Sequence, residues 1–558
     1  MTEMLRIGGL ATGMDTHQMI DDLMRAERMP LNKLVQDRTR LEWQRDAYRD
    51  INLQMRSFRD SFAARGLGLQ STFLQKSVSS SNPSVVTATA NANASNTTVQ
   101  MQVERLATSS TFVSAGITDE NVSSKKLSQW SNAEDIFGRD SENNLNSRAV
   151  IAVNVTRPGG EAETLEVEIS KEDTLQSVIT KMNRANLGFN AFLDKSADGS
   201  DPQVVLSMSD SGAGAKISFS NVTDSDDEGV NNKLDAGRAL FGAMNFDFHE
   251  DTLGVDENNN VTRGRSGQNA VVVINGHRTE RTTNQFTMNG VSYSLSGTTP
   301  PGEMVMVTAT TNTDKIMEDI MKFVEDYNAL IDTINGSLRE ERHRDYHPLS
   351  DEEKSAMSDR EVELWEEKAR SGLLRNDSTL SSTLNQMRMA LYSSVGTDPD
   401  RIIKDLSQIG LVSSRDYMDG GKIILDPNSR EMPNGQRMNG EDRLRYYIEN
   451  HGEELGQLFM GDGPTNEDKG IIRRLRSTMD NAINRITDRA GREGRTNHQF
   501  TLGRQLNNLE DRITNFERRM QQTEQRYWNQ FTALEKAMAQ MNSQAEQMWS
   551  MMSGMMGQ

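Results

Sequence analysis

Two stripes of large side chains, one near each end of a 558-residue chain, step strictly by three and four residues. The first runs through Leu34, Asp37, Leu41, Gln44, Tyr48, Ile51, Met55, Phe58 and Phe62; the second runs through Leu502, Leu506, Leu509, Ile513, Phe516, Met520, Thr523 and Tyr527. A single four-four step follows at Phe531, after which Leu534, Met538, Met541, Ala545, Met548, Met552 and Met555 resume the rhythm. This is the period at which helices pack seam to seam, and the extra step reads as a coiled-coil stutter. A helix from about residue 500 to 552 is roughly 80 Å long at 1.5 Å per residue, well beyond the usual globular helix. Such a rod has one apolar edge and needs a partner for it: the N-terminal rod of its own chain, sister copies, or both. Periodicity alone also admits an intramolecular helical hairpin packed on a domain. The candidate assembly residues are therefore Leu34, Leu41, Tyr48, Ile51, Met55, Phe58 and Phe62 with Leu506, Leu509, Ile513, Phe516, Met520, Tyr527, Phe531, Leu534, Met538, Met541 and Met548. Six of the 32 methionines lie between Met541 and Met556. Methionine is unbranched and polarisable, which suits a seam that must accept more than one neighbour; simple seam filling is the plainer reading.

Ahead of the first stripe, Asp15 and Gln18 read as a capping box that opens a short helix to about Arg28, with Pro30 starting the next. The first fourteen residues, with Gly8, Gly9 and Gly13, read as flexible until bound. From Thr72 to about Thr313 the period changes to two. Ser77 to Ala90 and Thr97 to Leu106 alternate as half-buried antiparallel strands. Thr164 to Ile169, a helix capped by Asp173 and running to about Ala185, then Gly188 to Leu193 and Val204 to Met208 read as a compact β-α-β-β unit. A second β-rich unit spans Ala270 to Ala309, with Asn275-Gly276 and Asn289-Gly290 as hairpin turns. Helices return at Asp314, where Ile316, Ile320, Phe323, Tyr327, Leu330 and Ile334 form another seam. Further helices are expected at Asp351 to Arg370, Ser378 to Ser394 and Ile471 to Ile486, with a hairpin between Leu411 and Leu425. The class is α+β and multidomain, with long helical ends, β-rich insertions and an elongated outline.

Composition removes several functions. With 62 Lys and Arg against 81 Asp and Glu, the net charge of -19 disfavours binding to phosphate backbones, so no nucleic-acid partner is expected. A mean hydropathy of -0.68 and the lack of any long apolar run argue against a spanning helix or a secretory signal, so no membrane partner is expected. Cysteine is absent, which excludes disulfides, thiolate metal sites and cysteine nucleophiles. His343 and His347 have an i, i+4 ligand spacing, but Pro348 follows and no HExxH pattern surrounds them, so a solvated loop is the expectation over zinc. Asp224, Asp226, Glu228, Gly229 and Asp235 imitate a calcium loop with Asp at its twelfth place; a charged surface loop is preferred. The arginines between Arg25 and Arg65 interleave with acids and read as a solvated helix face. No nucleophile elbow, phosphate loop or dinucleotide fingerprint appears, and neither an enzyme nor a cofactor is expected.

Several segments resemble the flagellar filament cap family, flagellar hook-associated protein 2 (FliD). GGLATGMD from Gly8 to Asp15, Leu23 to Arg28 and Pro30-Leu31 are similar to its opening signature. SSSNPSVVTATA and TTVQMQVERLA, within Thr72 to Leu106, resemble the end of its N-terminal module. Asp173 to Asn183 with Ser209 to Ala215 is similar to a repeat shared with flagellins. Phe323 to Asn328 and His347 to Asp377 resemble the C-terminal module, and Tyr527 to Gln544 the final helix. Val113 to Gly267 matches loosely outside the repeat, and the tail after Met548 runs past the pattern.

The resemblance implies a leg from residues 1-45 and 500-558, and a body from 46-112 and 314-499. It further implies a β-rich head domain from 113-147 and 230-313, and a second head domain with the flagellin-like repeat at 148-229. It also implies a homo-oligomeric ring, usually a pentamer, at the distal tip of the bacterial flagellum, secreted through the flagellar export route. There it would retain exported flagellin and promote its folding and polymerisation. Implied partners are flagellin, the hook-filament junction protein, the export apparatus and an export chaperone. Alternatives are a junction protein or flagellin-like subunit, and, from another class, an adhesin whose head binds host or surface glycans. A secreted metal-dependent hydrolase is the enzyme rival.

Overall fold

The computed structural model describes residues 15–64, 67–117, 124–195, 201–219, 228–396, 401–433 and 435–555. The glycine-rich opening, and Asp224 and Asp226 of the calcium-like stretch, lie outside the described residues. The chain divides into two compact units: residues 75–312, and a discontinuous unit made of the segments before and after them.

The discontinuous unit is helical. Its N-terminal helix spans Thr16–Ala64, capped by Asp15, whose Oδ1 accepts the Gln18 backbone N–H at 3.1 Å. The helix runs unbroken through Pro30, where the sequence suggested a boundary. An interior proline forfeits one backbone hydrogen bond and costs about 3 kcal/mol. Residues 25–30 are all exposed, so water can reach the freed carbonyl. The second long helix, Thr313–Arg339, buries Ile316, Ile320, Phe323, Tyr327, Leu330 and Ile334, the full expected seam. The single helix expected from Asp351 to Arg370 is two, Asp351–Ser355 and Asp359–Arg370. Each begins with a capping box, Ser350 with Glu353 and Ser358 with Glu361; the second box stops one helix and starts the next. Ser378–Tyr392 follows, then the hairpin of Leu411–Ser413 and Ile423–Leu425. Gly440–Asn450 and Gly452–Met460, absent from the sequence reading, precede Ile471–Ala490 and the C-terminal helix Thr501–Met555. One core joins these elements, from Tyr48 and Phe58 through Phe323 to Leu475 and Phe500.

The inserted unit holds two cores. In the first, a five-stranded antiparallel sheet orders Lys76–Ser80, Val305–Thr311, Thr97–Arg105, Ala270–Ile274 and His277–Arg281. It shares its apolar side chains with a three-stranded sheet of Gln285–Met288, Val291–Leu295 and Val86–Ala90. Val99, Met101 and Val103 point inward and Gln100 and Glu104 outward, as alternation requires. Asn275 and Gly276 have φ of 48° and 85°, and Asn289 and Gly290 of 52° and 79°. Two successive positive φ values are what the tight hairpin turn needs, and Asn-Gly supplies them at low strain.

The second core corrects the β-α-β-β reading. Ala162–Ser170 pairs along its length with Arg148–Thr156 in one sheet, while Phe189–Lys195 and Pro202–Ser211 pair in another. Helix Leu175–Ala185 buries Leu175, Val178, Ile179 and Met182 in the core common to both sheets. Its cap is Thr174, whose hydroxyl accepts the Ser177 N–H; Asp173 instead takes Ser170 N–H, the Ser177 hydroxyl and the Lys181 ammonium. Glu228–Ala243 is a helix, so Glu228, Gly229 and Asp235 belong to regular structure and not to a calcium loop or a charged surface loop. Among the described residues no group of three His, Asp or Glu is arranged to hold a metal, and no helix is long and apolar enough to cross a membrane.

Candidate assembly site on the terminal helices

The N-terminal and C-terminal helices lie against one another and run antiparallel, as two contacts fix. Arg38 Nη1 meets Glu510 Oε2 at 3.2 Å, and the Tyr527 hydroxyl donates to Glu27 Oε1 at 3.2 Å. His17 and Trp528 add an edge-to-face ring contact with centroids 4.7 Å apart. Both polar contacts are solvent-exposed, so each is worth less than about 1 kcal/mol and sets register more than it adds stability.

Burial splits the first stripe. Tyr48, Ile51, Met55, Phe58 and Phe62 are buried in the core of their own unit. Phe58 stacks on Phe323 with ring centroids 6.0 Å apart, and Phe62 sits 5.7 Å from the same ring. Leu34 and Leu41 are half-buried. The second stripe grades along its length: Leu506, Leu509 and Ile513 are buried, and Phe516, Met520, Tyr527 and Phe531 are half-buried. The helix carries straight on through the Phe531 step. Beyond it Leu534 and Met538 are 46 % and 37 % exposed, and Met541 and Met548 are 64 % and 65 % exposed. Trp549, Met551 and Met552 are exposed beside them. Two members of the N-terminal helix that the stripe omitted, Ile20 and Met24, are buried, with Thr16 one turn earlier; their i, i+4 spacing was the available signal.

Polar contacts clamp the buried part of the N-terminal helix. The Tyr48 hydroxyl donates to Asp377, which also caps the Ser378–Tyr392 helix by accepting the Leu380 N–H at 2.9 Å. Arg489 lies over the Tyr48 ring at 5.0 Å with its guanidinium 3.6 Å from Asp377. Burial, then the hydrogen bond and charge of Asp377, push the Tyr48 phenol far above its ordinary range. Asn52 Nδ2 donates to Thr487 Oγ1 at 3.0 Å, and the Thr487 hydroxyl donates to the Ile483 carbonyl. Arg49 Nε donates to the Ala490 carbonyl at 3.0 Å, and Arg59 pairs with Asp480 at 2.8 Å. Asn52, Asp377, Thr487 and Arg489 carry no periodic signal, because each is placed by a partner hundreds of residues away. His347 is hydrogen-bonded through Nε2 to Glu353 Oε1 at 3.1 Å, and His343 packs edge-on to Tyr346.

Comparison with known proteins gives this arrangement its kin. The family described as flagellar hook-associated protein 2 C-terminus matches residues 267–543, and the one described as its N-terminus matches residues 12–110. The chain is 33% identical over 570 residues to flagellar hook-associated protein 2 of Halalkalibacterium halodurans, covering 97% of this chain and 98% of that one. It is 23% identical to the protein of that name from Thermotoga maritima, covering 97% of this chain and 94% of the relative. The D1-D2-D3 domains of the flagellar cap protein FliD from Escherichia coli are similar with a TM-score of 0.49 and 18% identity, covering 80% of this chain and 96% of that structure. With near-complete coverage at a third identity, and both family halves matched in order, the chain belongs to the flagellar hook-associated protein 2 family, the FliD family of flagellar cap proteins.

Proposed function

We propose that this protein is a homo-oligomeric cap at the distal tip of the flagellar filament, where it holds exported flagellin while it folds and polymerises. Family membership supports the activity, and one structural observation carries the mechanism. The C-terminal helix from Leu534 onward presents Leu534, Met538, Met541, Met548 and Trp549 to solvent along one continuous rod. Exposed apolar seams of this length mark interaction surfaces, and methionine can repack against changing neighbours. The rod then engages sister copies and the filament end, and exchanges partners as each subunit is added. Burying one large side chain contributes about 1.5–3 kcal/mol, so several together hold a cap without covalent chemistry. The cap works by binding, and no catalytic step or cofactor enters it.

In this reading residues 1-45 and 500-558 serve as the leg, and the inserted unit supplies the head that confines the incoming chain. The ring is built of five copies, the protein leaves the cell through the flagellar export route with a chaperone, and it follows the hook-filament junction protein. The test is deletion of residues 534–558 in the producing bacterium. Secretion should continue while flagellin accumulates in the medium as monomer. Filaments of normal length from that strain would exclude the mechanism.

A further inference from the structure

A groove runs along the N-terminal helix from Asp22 to Gln44, walled by residues 342–373 and, at its far end, by the C-terminal helix near Arg512. It comprises two connected hollows of about 880 and 590 Å³ that share Asp37, Arg40, Arg342 and Leu373. The twenty-two helical steps from Asp22 to Gln44 span about 33 Å, room for about ten extended residues. Arg25, Lys33, Arg40, Arg342, Arg344 and Arg512 line it, and none makes an ion pair with a described residue.

Two of the four acids that line the groove are committed. Glu352 pairs with Arg28, and Glu353 is held by the Ser350 N–H, His347 and Gln36. Asp22 and Asp37 remain, so among the described residues unpaired cations outnumber unpaired acids on the wall of a chain whose net charge is -19. Repulsion among unpaired cations is retained at a cost, which a ligand of opposite sign removes.

The wall is also built in advance. Trp365 Nε1 donates to the His347 carbonyl at 2.8 Å, and Gln44 Nε2 to the Leu373 carbonyl at 3.4 Å. Gly372, at φ +66°, lies so close to the Arg342 backbone that a Cβ there would sit 2.8 Å from its Cα. Met29, 70 % exposed, adds an apolar contact inside the groove.

We infer that this groove binds an acidic amphipathic peptide segment of a partner protein, its carboxylates on the cationic wall and an apolar side chain against Met29. The exposed Met29 side chain and the two remaining carboxylates favour such a peptide over a polyphosphate or nucleic acid, whose charge is unbroken and which would meet Asp22 and Asp37.

The experiment uses the full chain and fluorescence anisotropy with a labelled synthetic peptide of about twelve residues alternating Glu with Leu or Ala. The peptide should bind at low salt, weaken as salt rises, and be preferred over its Lys counterpart. The triple variant Lys33→Glu, Arg342→Glu, Arg344→Glu should bind at least about tenfold more weakly, while Arg265→Glu in the inserted unit should bind as the parent does. Thermal unfolding by circular dichroism is recorded for both variants; if the triple variant does not fold, Lys33→Gln with Arg344→Gln replaces it, with weaker binding again expected. Equal binding of acidic and basic peptides, or undiminished binding by a folded variant, would overturn the inference. So would inorganic polyphosphate binding in preference to the peptide, or a variant whose only change is its own oligomeric state in sedimentation.

Discussion

The same three-four spacing runs through Tyr48 to Phe62 and through Leu534 to Met552, yet the two stretches end in opposite environments. The first closes the core of its unit, stacked on Phe323, packed against Tyr327 and clamped by Asp377, Thr487 and Asp480. The second stays in solvent, from 37 % exposed at Met538 to 74 % at Trp549. Residue type follows the difference. The buried stretch is largely aromatic and β-branched, with few rotamers to lose and one geometry to satisfy; the exposed stretch is mostly methionine, which commits to none. A helical seam is thus a statement about pairing, and the chemistry of its side chains says whether the pair is permanent.

The sharpest way to break this contrast is Phe58→Ala, which empties a site beside Phe323 and should cost about 3–5 kcal/mol in urea unfolding of the full chain. A loss under 1 kcal/mol would mean that the seam is not part of a packed core. Alkaline pH probes the same core through Tyr327, whose phenol burial pushes far above its usual range, with neighbouring Tyr392 adding to the rise. The unfolded chain releases that proton first, so the stability contributed by Tyr327 is complete below pH 10 and falls above it by about 1.4 kcal/mol per pH unit while Tyr327 stays protonated in the fold, with Tyr48 adding a share of the same sign. Tyr327→Phe should lessen the alkaline slope by that amount in urea titrations at successive pH values, leaving the share from Tyr48. Asn52→Ala leaves Thr487 without its buried partner and should cost about 1–2 kcal/mol, measured the same way. At the other end of the scale, joint replacement of Met541, Met548 and Trp549 by Ser should shift unfolding by less than about 0.5 kcal/mol. Flagellin should nonetheless leak into the medium of a strain carrying it. Intact capping by that variant would remove the distinction between the two stretches.

Much of the fold was legible because it is local. The Ile316 to Ile334 seam, the Asn-Gly hairpins and the alternation at Val99 to Val103 each follow from neighbours within a few residues. The stop at Ser358 was legible in principle, since Ser358 and Glu361 form a capping box, but the charged run around them hides it. Pro30 misled because its usual penalty is set by local sterics, whereas the helix is held by apolar burial on either side: Ile20 and Met24 before it and Tyr48 to Phe62 after it. Of the candidate assembly residues, spacing could pick out the set but not divide it. The division depends on Phe323 and its helix, more than two hundred residues from Phe58.

Periodicity by itself determined that both ends are helical rods with an apolar edge, because a 3.5-residue repeat has no other low-energy use. It also determined that the middle is β-rich, through alternation and Asn-Gly turns. Tertiary structure alone decided which half of the edge is spent inside the chain and which half is left for others. It alone pairs Ala162–Ser170 with Arg148–Thr156 and gathers along one groove six cations that pair with no described acid. Burial and charge neutralisation are settled by whichever segments the fold brings within a few ångströms, and that choice is written in no short stretch of sequence.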